Sequence, residues 1–179
     1  MRFKSKLVLV LVFIIMSFSA FAAKSNKKED VKMPNIVLYD QYGKKHNIEE
    51  YKGKVVVINF WATWCGYCVQ EMPEFEKVYK EFGSNKKDVI ILGVAGPKSK
   101  ENQNNVDVEK DKVISFLKKK NITYPTLMDE TGKSFDDYKV RALPMTYVIN
   151  KDGYLEGFVS GAITAEQLRK AVNETLKKK

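Results

Sequence analysis

The chain has 179 residues, 44% of them apolar and 30% charged, with a formal net charge of +9 and only two cysteines. That length supports one domain with its own core, and two cysteines separated by two residues exclude the multiply cross-linked scaffold of small exported proteins, because a bridge closing so short a loop adds little entropic stabilisation. The positive residues are scattered, with runs only at Lys118, Lys119 and Lys120 and at Lys177, Lys178 and Lys179, where cations suit helix ends, so the excess charge does not mark a nucleic-acid surface.

Residues 1–22 have the layout of a secretory signal. Arg2, Lys4 and Lys6 form a basic start, an apolar stretch over 7–21 is broken only by Ser17 and Ser19, and Ala20-Phe21-Ala22 matches an A-x-A cleavage pattern. Cleavage would start the mature chain near Ala23. The alternative is an uncleaved anchor, since the stretch falls only slightly short of the roughly 20 apolar residues of a full span. Either way the expected location is extracytoplasmic, in the periplasm or cell envelope. Residues 23–32 are polar and without periodicity, a leader to a domain over 33–179.

Within that domain, strands are predicted over 35–39 and 46–48, joined by a turn at Gly43-Lys44-Lys45. Gly53 breaks the chain before residues 55–61, Val-Val-Val-Ile-Asn-Phe-Trp, a run continuous enough for a strand buried on both faces of a sheet. Trp64-Cys65-Gly66-Tyr67-Cys68 follows at once. Cys68, Met72, Phe75, Val78, Tyr79 and Phe82 then recur at helical spacing, with a kink expected at Pro73 and a stop at Gly83. A second buried strand over 89–94 leads to Gly96-Pro97 and to residues 98–105, the most loop-like stretch. Val113, Phe116 and Leu117 mark a helix ending near Asn121. Strand, helix and strand in this order imply a parallel right-handed unit. Further elements are predicted at 126–128, 134–138, 146–150 and 155–159, with Asp152-Gly153 as the hairpin turn of the last two. Thr164-Ala165-Glu166-Gln167 is a capping box opening a final helix, whose face is Leu168, Ala171, Val172, Thr175 and Leu176. The sum is an α/β domain with a mixed sheet.

The cysteine pair therefore lies where a central strand gives way to a helix. Disulfide exchange needs an exposed, activated thiolate and a second thiol near enough to release the mixed disulfide. Cys65 at a helix N-terminus meets the first need, because the unpaired N–H groups and the dipole favour an anion there. Cys68, one turn on, meets the second. Zinc requires four ligands, and beyond the pair the chain offers no cysteine and one histidine, His46. Simple packing accounts for Cys68 but leaves Cys65 unexplained.

Phe60-Trp61-Ala62-Thr63-Trp64-Cys65-Gly66-Tyr67-Cys68, followed by Glu71, Pro73 and Phe75, resembles the active-site segment of the TlpA/ResA-like extracytoplasmic thioredoxins, and Val140-Arg141-Ala142-Leu143-Pro144-Met145-Thr146 resembles their cis-proline loop. The resemblance implies a thioredoxin fold: a central mixed β-sheet flanked by helices, with an N-terminal β-hairpin and an insertion before the middle helix. It makes Cys65 the attacking thiol, Cys68 the resolving one and Pro144 a cis-proline facing them. It also places Trp64, Gly66, Tyr67, Leu143 and Met145 along the substrate groove, the alternative for Leu143 and Met145 being strand-edge packing. Glu71 matches a glutamate that tunes the thiols in reductive members; its alternative is a solvated helix carboxylate. Two departures from cytoplasmic thioredoxins stand out. Asn59 occupies the place of their buried aspartate, and Gly66-Tyr67 replaces Gly-Pro, resembling the periplasmic disulfide isomerases.

The activity implied is that of a monomeric reductase needing no cofactor or metal. It would take electrons from a CcdA/DsbD-type membrane transporter and pass them to oxidised exported proteins. Gly93-Val94-Ala95-Gly96-Pro97, the polar insertion and Tyr124-Pro125 resemble the thioredoxin-like proteins serving exported methionine sulfoxide reductases, with cytochrome c maturation as the alternative task. A disulfide oxidase or isomerase would run the same chemistry from the other side, and a metal-binding thiol chaperone is the reading from another class.

Overall fold

The computed structural model describes residues 30–178, so the predicted signal at 1–22 and most of the leader lie outside the described residues. In chain order the elements are β1 (Val37–Tyr39), β2 (Lys45–Asn47), a 3-10 turn (Ile48–Tyr51), β3 (Val55–Phe60), α1 (Gly66–Glu81), β4 (Val89–Ala95), α2 (Lys110–Lys119), β5 (Thr126–Met128), α3 (Lys133–Asp137), β6 (Met145–Ile149), β7 (Leu155–Ser160) and α4 (Ala165–Lys177). β1 and β2 form the antiparallel hairpin. The other strands make one mixed sheet in the order β5-β4-β3-β6-β7, with β3, β4 and β5 parallel and β6 and β7 antiparallel. This is the thioredoxin fold.

β3 is central because none of its residues needs water. All six are buried, and alternate side chains enter two cores. Val55 and Val57 pack with Met72, Phe75 and Val78 of α1, Val113 and Leu117 of α2, and Leu168 and Val172 of α4. Val56, Ile58 and Phe60 face the opposite way, onto Phe135 of α3, Tyr138 and Ile36. There Phe60 meets Phe135 edge-on at 5.0 Å between ring centroids, an arrangement preferred by aromatic quadrupoles. Truncating a ring buried so completely costs about 3–5 kcal/mol.

Local signals set most boundaries. The capping box forms on both sides: the Gln167 amide donates to Thr164 Oγ1 at 3.3 Å, and the Thr164 amide donates to Gln167 Oε1 at 3.0 Å. α1 runs through Pro73 to Glu81. The second hairpin strand starts a residue earlier than predicted, and Ile48 opens the 3-10 turn, because Asn47 Oδ1 accepts from the Glu49 amide and pulls the chain out of the strand. Residues 98–105 are irregular, as expected, yet firmly held. Asn105 Nδ2 donates to the carbonyls of Pro97 at 2.9 Å and Asp129 at 2.7 Å, and Ser99 Oγ donates to the Glu130 carbonyl at 2.7 Å. Among the described residues no helix is long and apolar enough to cross a membrane.

Candidate active site

β3 ends at Phe60, and the chain turns through residues 61–64 before α1. Cys65 is the N-cap of that helix: its backbone is extended, and its Sγ accepts from the Cys68 amide at 3.2 Å. The two cysteines form a disulfide with Cα atoms 5.2 Å apart. Cys68 is fully buried and Cys65 is 5% exposed. The order of burial is the one expected, but the exposure expected of the attacking sulfur is absent in this oxidised form. The bridge turns Cys65 Sγ back over the first helical turn, into the cluster that holds Met72 and Phe75. The flanking aromatics stay outside, Trp64 at 65% and Tyr67 at 68% exposure. Gly66 begins α1 with open space where a side chain would be.

Antiparallel pairing brings the second motif to the same end of the sheet. Phe60 is in register with Met145 and Asn59 with Thr146, so the residue before β6, Pro144, lies beside the end of β3 that feeds the cysteines. The Leu143–Pro144 peptide is cis. The Pro144 carbonyl accepts from the Gly161 amide at 2.9 Å. Leu143 and Met145 are half-buried; Leu143 packs against both cores and Met145 against the one holding Phe60.

Glu71, one turn beyond Cys68, is 3% exposed. It is no solvated helix carboxylate. Its Oε1 accepts from Asn59 Nδ2 at 2.8 Å and its Oε2 from the Ile163 amide at 3.0 Å. Asn59 Nδ2 also donates to Thr146 Oγ1 at 3.0 Å, which ties the carboxylate to the strand that follows Pro144. Burial pushes the Glu71 carboxyl up from 4.5 to about 7, and the Ile163 and Asn59 hydrogen bonds hold back part of that rise. A carboxyl so placed exchanges its proton near neutral pH, which an ordinary surface glutamate cannot do.

The registers extend this polar level across the sheet, since Asn59 lies beside Gly93 and Gly93 beside Thr126. Gly93 is required there by space. A Cβ would sit 2.8 Å from Thr126 Oγ1, 3.0 Å from Trp61 Nε1 and 3.2 Å from Tyr124 Cε2. Trp61 Nε1, the Tyr124 hydroxyl and Thr126 Oγ1 are buried without a hydrogen-bond partner among the described residues. Burial drives the Tyr124 hydroxyl well above the usual tyrosine range, with the nearby Glu71 and Glu76 adding to the rise.

Among the buried polar groups that escaped the sequence reading, two stand out. Asp107, 2% exposed, accepts from the Thr63 amide at 2.8 Å and the Thr63 hydroxyl at 2.5 Å, and so joins the insertion to the loop before Cys65. A lone aspartate in a polar stretch carries no sequence signal of such a contact. The other group is the hairpin trio. His46 Nε2 lies 2.8 Å from Asp40 Oδ2 and its Nδ1 lies 2.6 Å from the Tyr51 hydroxyl, so both ring nitrogens of the one histidine are engaged.

Comparison with known proteins agrees with this geometry. Residues 30–157 match the model of the AhpC/TSA family. The chain is 32% identical over 155 residues to the thiol-disulfide oxidoreductase ResA of Bacillus subtilis, an alignment covering 87% of this chain and 80% of that protein. Among solved structures, the exposed lipoprotein thioredoxin Etrx1 of Streptococcus pneumoniae superposes with a TM-score of 0.67 at 28% identity, covering 79% of this chain and 99% of the other. StoA of Bacillus subtilis does so with a TM-score of 0.64 at 27% identity, covering 77% and 96%.

Proposed function

The chain belongs to the AhpC/TSA family and is a thiol–disulfide oxidoreductase of the ResA type; from that premise we propose that it works outside the cytoplasm as a reductase of protein disulfides. The observation that carries the exchange chemistry is Glu71, a buried carboxyl raised to about 7 one helical turn from Cys68, while the reductive direction rests on the resemblance of the Cys65–Glu71 segment to reductive members of the group. In the reduced enzyme the Cys65 thiolate attacks a substrate disulfide, forms a mixed disulfide and expels one substrate thiolate. Cys68 must then lose its proton to attack Cys65 Sγ. A thiol in so dry a setting resists ionisation. The Glu71 carboxylate accepts that proton, the Cys65–Cys68 bridge forms, and the second substrate thiolate departs with the electron pair.

Cys65 is the attacking thiol in this reading because it caps α1, where the helix N-terminus favours its anion. Trp64, Gly66 and Tyr67 on one side, and Leu143, Pro144 and Met145 on the other, form the walls along which the substrate lies. The signal-like residues 1–22 support export. Regeneration outside the cytoplasm calls for a CcdA/DsbD-type membrane donor. Among clients we place an exported methionine sulfoxide reductase first, on the resemblance carried by residues 93–97 and Tyr124-Pro125.

Two measurements test the proposal. Cys68→Ser removes the resolving sulfur and traps substrates on Cys65 as mixed disulfides; a lack of adducts in cells expressing the variant refutes the nucleophile assignment. The reduction potential of the pair reads the direction. A value near that of thioredoxin, about −270 mV, fits a reductant, and one near about −120 mV overturns it in favour of an oxidant.

A further inference from the structure

The insertion touches the active-site loop through two consecutive residues on each side. Thr63 gives its amide and hydroxyl to the Asp107 carboxylate, and Trp64 Nε1 donates to the Val106 carbonyl at 2.7 Å. The insertion does not need these contacts for its own shape. Its base is closed by the Asp107 amide on the Gly96 carbonyl and by the Lys98 amide on the Val108 carbonyl, and Asn105 anchors its far side. The side chain of Asp107 is thus turned mainly to the loop ahead of Cys65, with one contact, from the Val108 amide, kept within its own segment. Burying a carboxylate without a cation is costly unless its oxygens are filled. Here three donors fill them: the Thr63 amide, the Thr63 hydroxyl and the Val108 amide, the last at 2.8 Å.

What this arrangement presents outward is apolar. Trp64, which precedes Cys65 in the chain, is 65% exposed, and Val106, whose carbonyl takes the indole N–H, is 40% exposed. An indole left in water beside a reactive bond contributes little to folding but much to contact with a partner, and fixing its N–H in advance lowers the entropy lost on docking. Resting on the reductase reading above, we propose that Asp107 is a positioning residue that holds Val106 and Trp64 together as one docking rim. The rim selects disulfides carried on polypeptides, with an apolar side chain beside the cysteine, over small soluble disulfides.

The test compares wild type with Asp107→Asn, whose amide nitrogen must face either the Thr63 amide or the Val108 amide, both of them donors. Exchange is measured with insulin and with oxidised glutathione, and the quantity read is the ratio of the two rate constants. That ratio is expected to fall about tenfold, a loss of about 1.4 kcal/mol of discrimination, while hydrogen exchange at the Thr63 amide accelerates. Val106→Ser, which leaves Asp107 and its donors in place, is expected to lower the same ratio and serves if the first variant folds poorly. An unchanged ratio in both variants overturns the proposal. So does an equal loss with both substrates, which would make Asp107 a support of the cysteine pair alone. Rates are taken in both directions, from reduced enzyme with oxidised insulin and glutathione and from oxidised enzyme with the reduced forms. A chain that proved to be an oxidant would thereby refute the reductase reading and still report on the rim.

Discussion

Replacing Glu71 by Gln should remove the share of the pH dependence that this one carboxyl gives to the stability of the oxidised protein. The native carboxyl titrates at about 7 and an ordinary one at 4.5. Between those values the folded state binds a proton that the unfolded state has lost, so wild-type stability falls as pH rises. It is full below about pH 4.5 and levels off above about pH 7.5, after a loss of about 3 kcal/mol at 1.36 kcal/mol per unit. Glutamine carries no charge at any pH. Its amide nitrogen must, however, face either Asn59 Nδ2 or the Ile163 amide, both of them donors, at a cost of about 1 kcal/mol. The two stability curves should therefore cross: the variant is weaker by about 1 kcal/mol in acid and stronger by about 2 kcal/mol at mildly alkaline pH. Urea unfolding of both oxidised proteins from about pH 4 to about pH 9 checks this, since every other titrating group cancels in the difference. A difference that stays constant over the whole range would mean that the carboxyl is not held as the structure implies.

Asn59→Asp removes the Nδ2 donor and sets a second carboxyl where the amide lies 2.8 Å from Glu71 Oε1; the two acids should share one proton, and the pH-dependent loss of stability should extend beyond the wild-type midpoint near 7. An unmoved midpoint in the same urea series would sink that expectation. Gly93→Ala drives a methyl against Thr126 Oγ1 and Trp61 Nε1 and should cost about 1–3 kcal/mol of stability. Gly66→Ala meets nothing within 4 Å and is the matched control; thermal melts that fail to separate the two would show that the wall around Gly93 yields.

Where a feature depended on neighbours in the chain, the sequence declared it. The apolar run of β3 needs no partner to be recognised, and the capping box of α4 is complete within four residues. The cysteine pair could be placed at a helix start because the strand and the helical period on its two sides are both strong. The cis state of Pro144 was a different matter, since nothing in its local composition distinguishes it from a trans proline; only the motif resemblance singled it out. Glu71 was ambiguous for a geometric reason. Three residues along a helix from Cys68 sets its level but not the packing around it, and one of its two hydrogen-bond partners, the Ile163 amide, is 92 residues away. Asp107 was silent altogether, because its partner Thr63 is 44 residues distant and neither residue belongs to a periodic pattern.

In the proposed reduction cycle the two cysteines and Glu71 divide one task by their settings. Moving an electron pair through Cys68 requires a thiolate, for however short a time, in a core that disfavours charge. A base of ordinary carboxylate strength, near 4.5, would leave the proton on sulfur nearly always; a lysine would bring a permanent cation into the same dry space. A carboxyl raised to about 7 by burial narrows the gap between donor and acceptor from the acceptor's side. The hydrogen bonds from Asn59 and Ile163 keep the rise from going further, so that the carboxylate still exists at neutral pH to take the proton. Asn59 serves this arrangement better than an aspartate would, because an amide can donate to Glu71 and to Thr146 while adding no charge of its own. The proton site thus lies on α1 with the thiols, with the strand beneath supplying only a dipole.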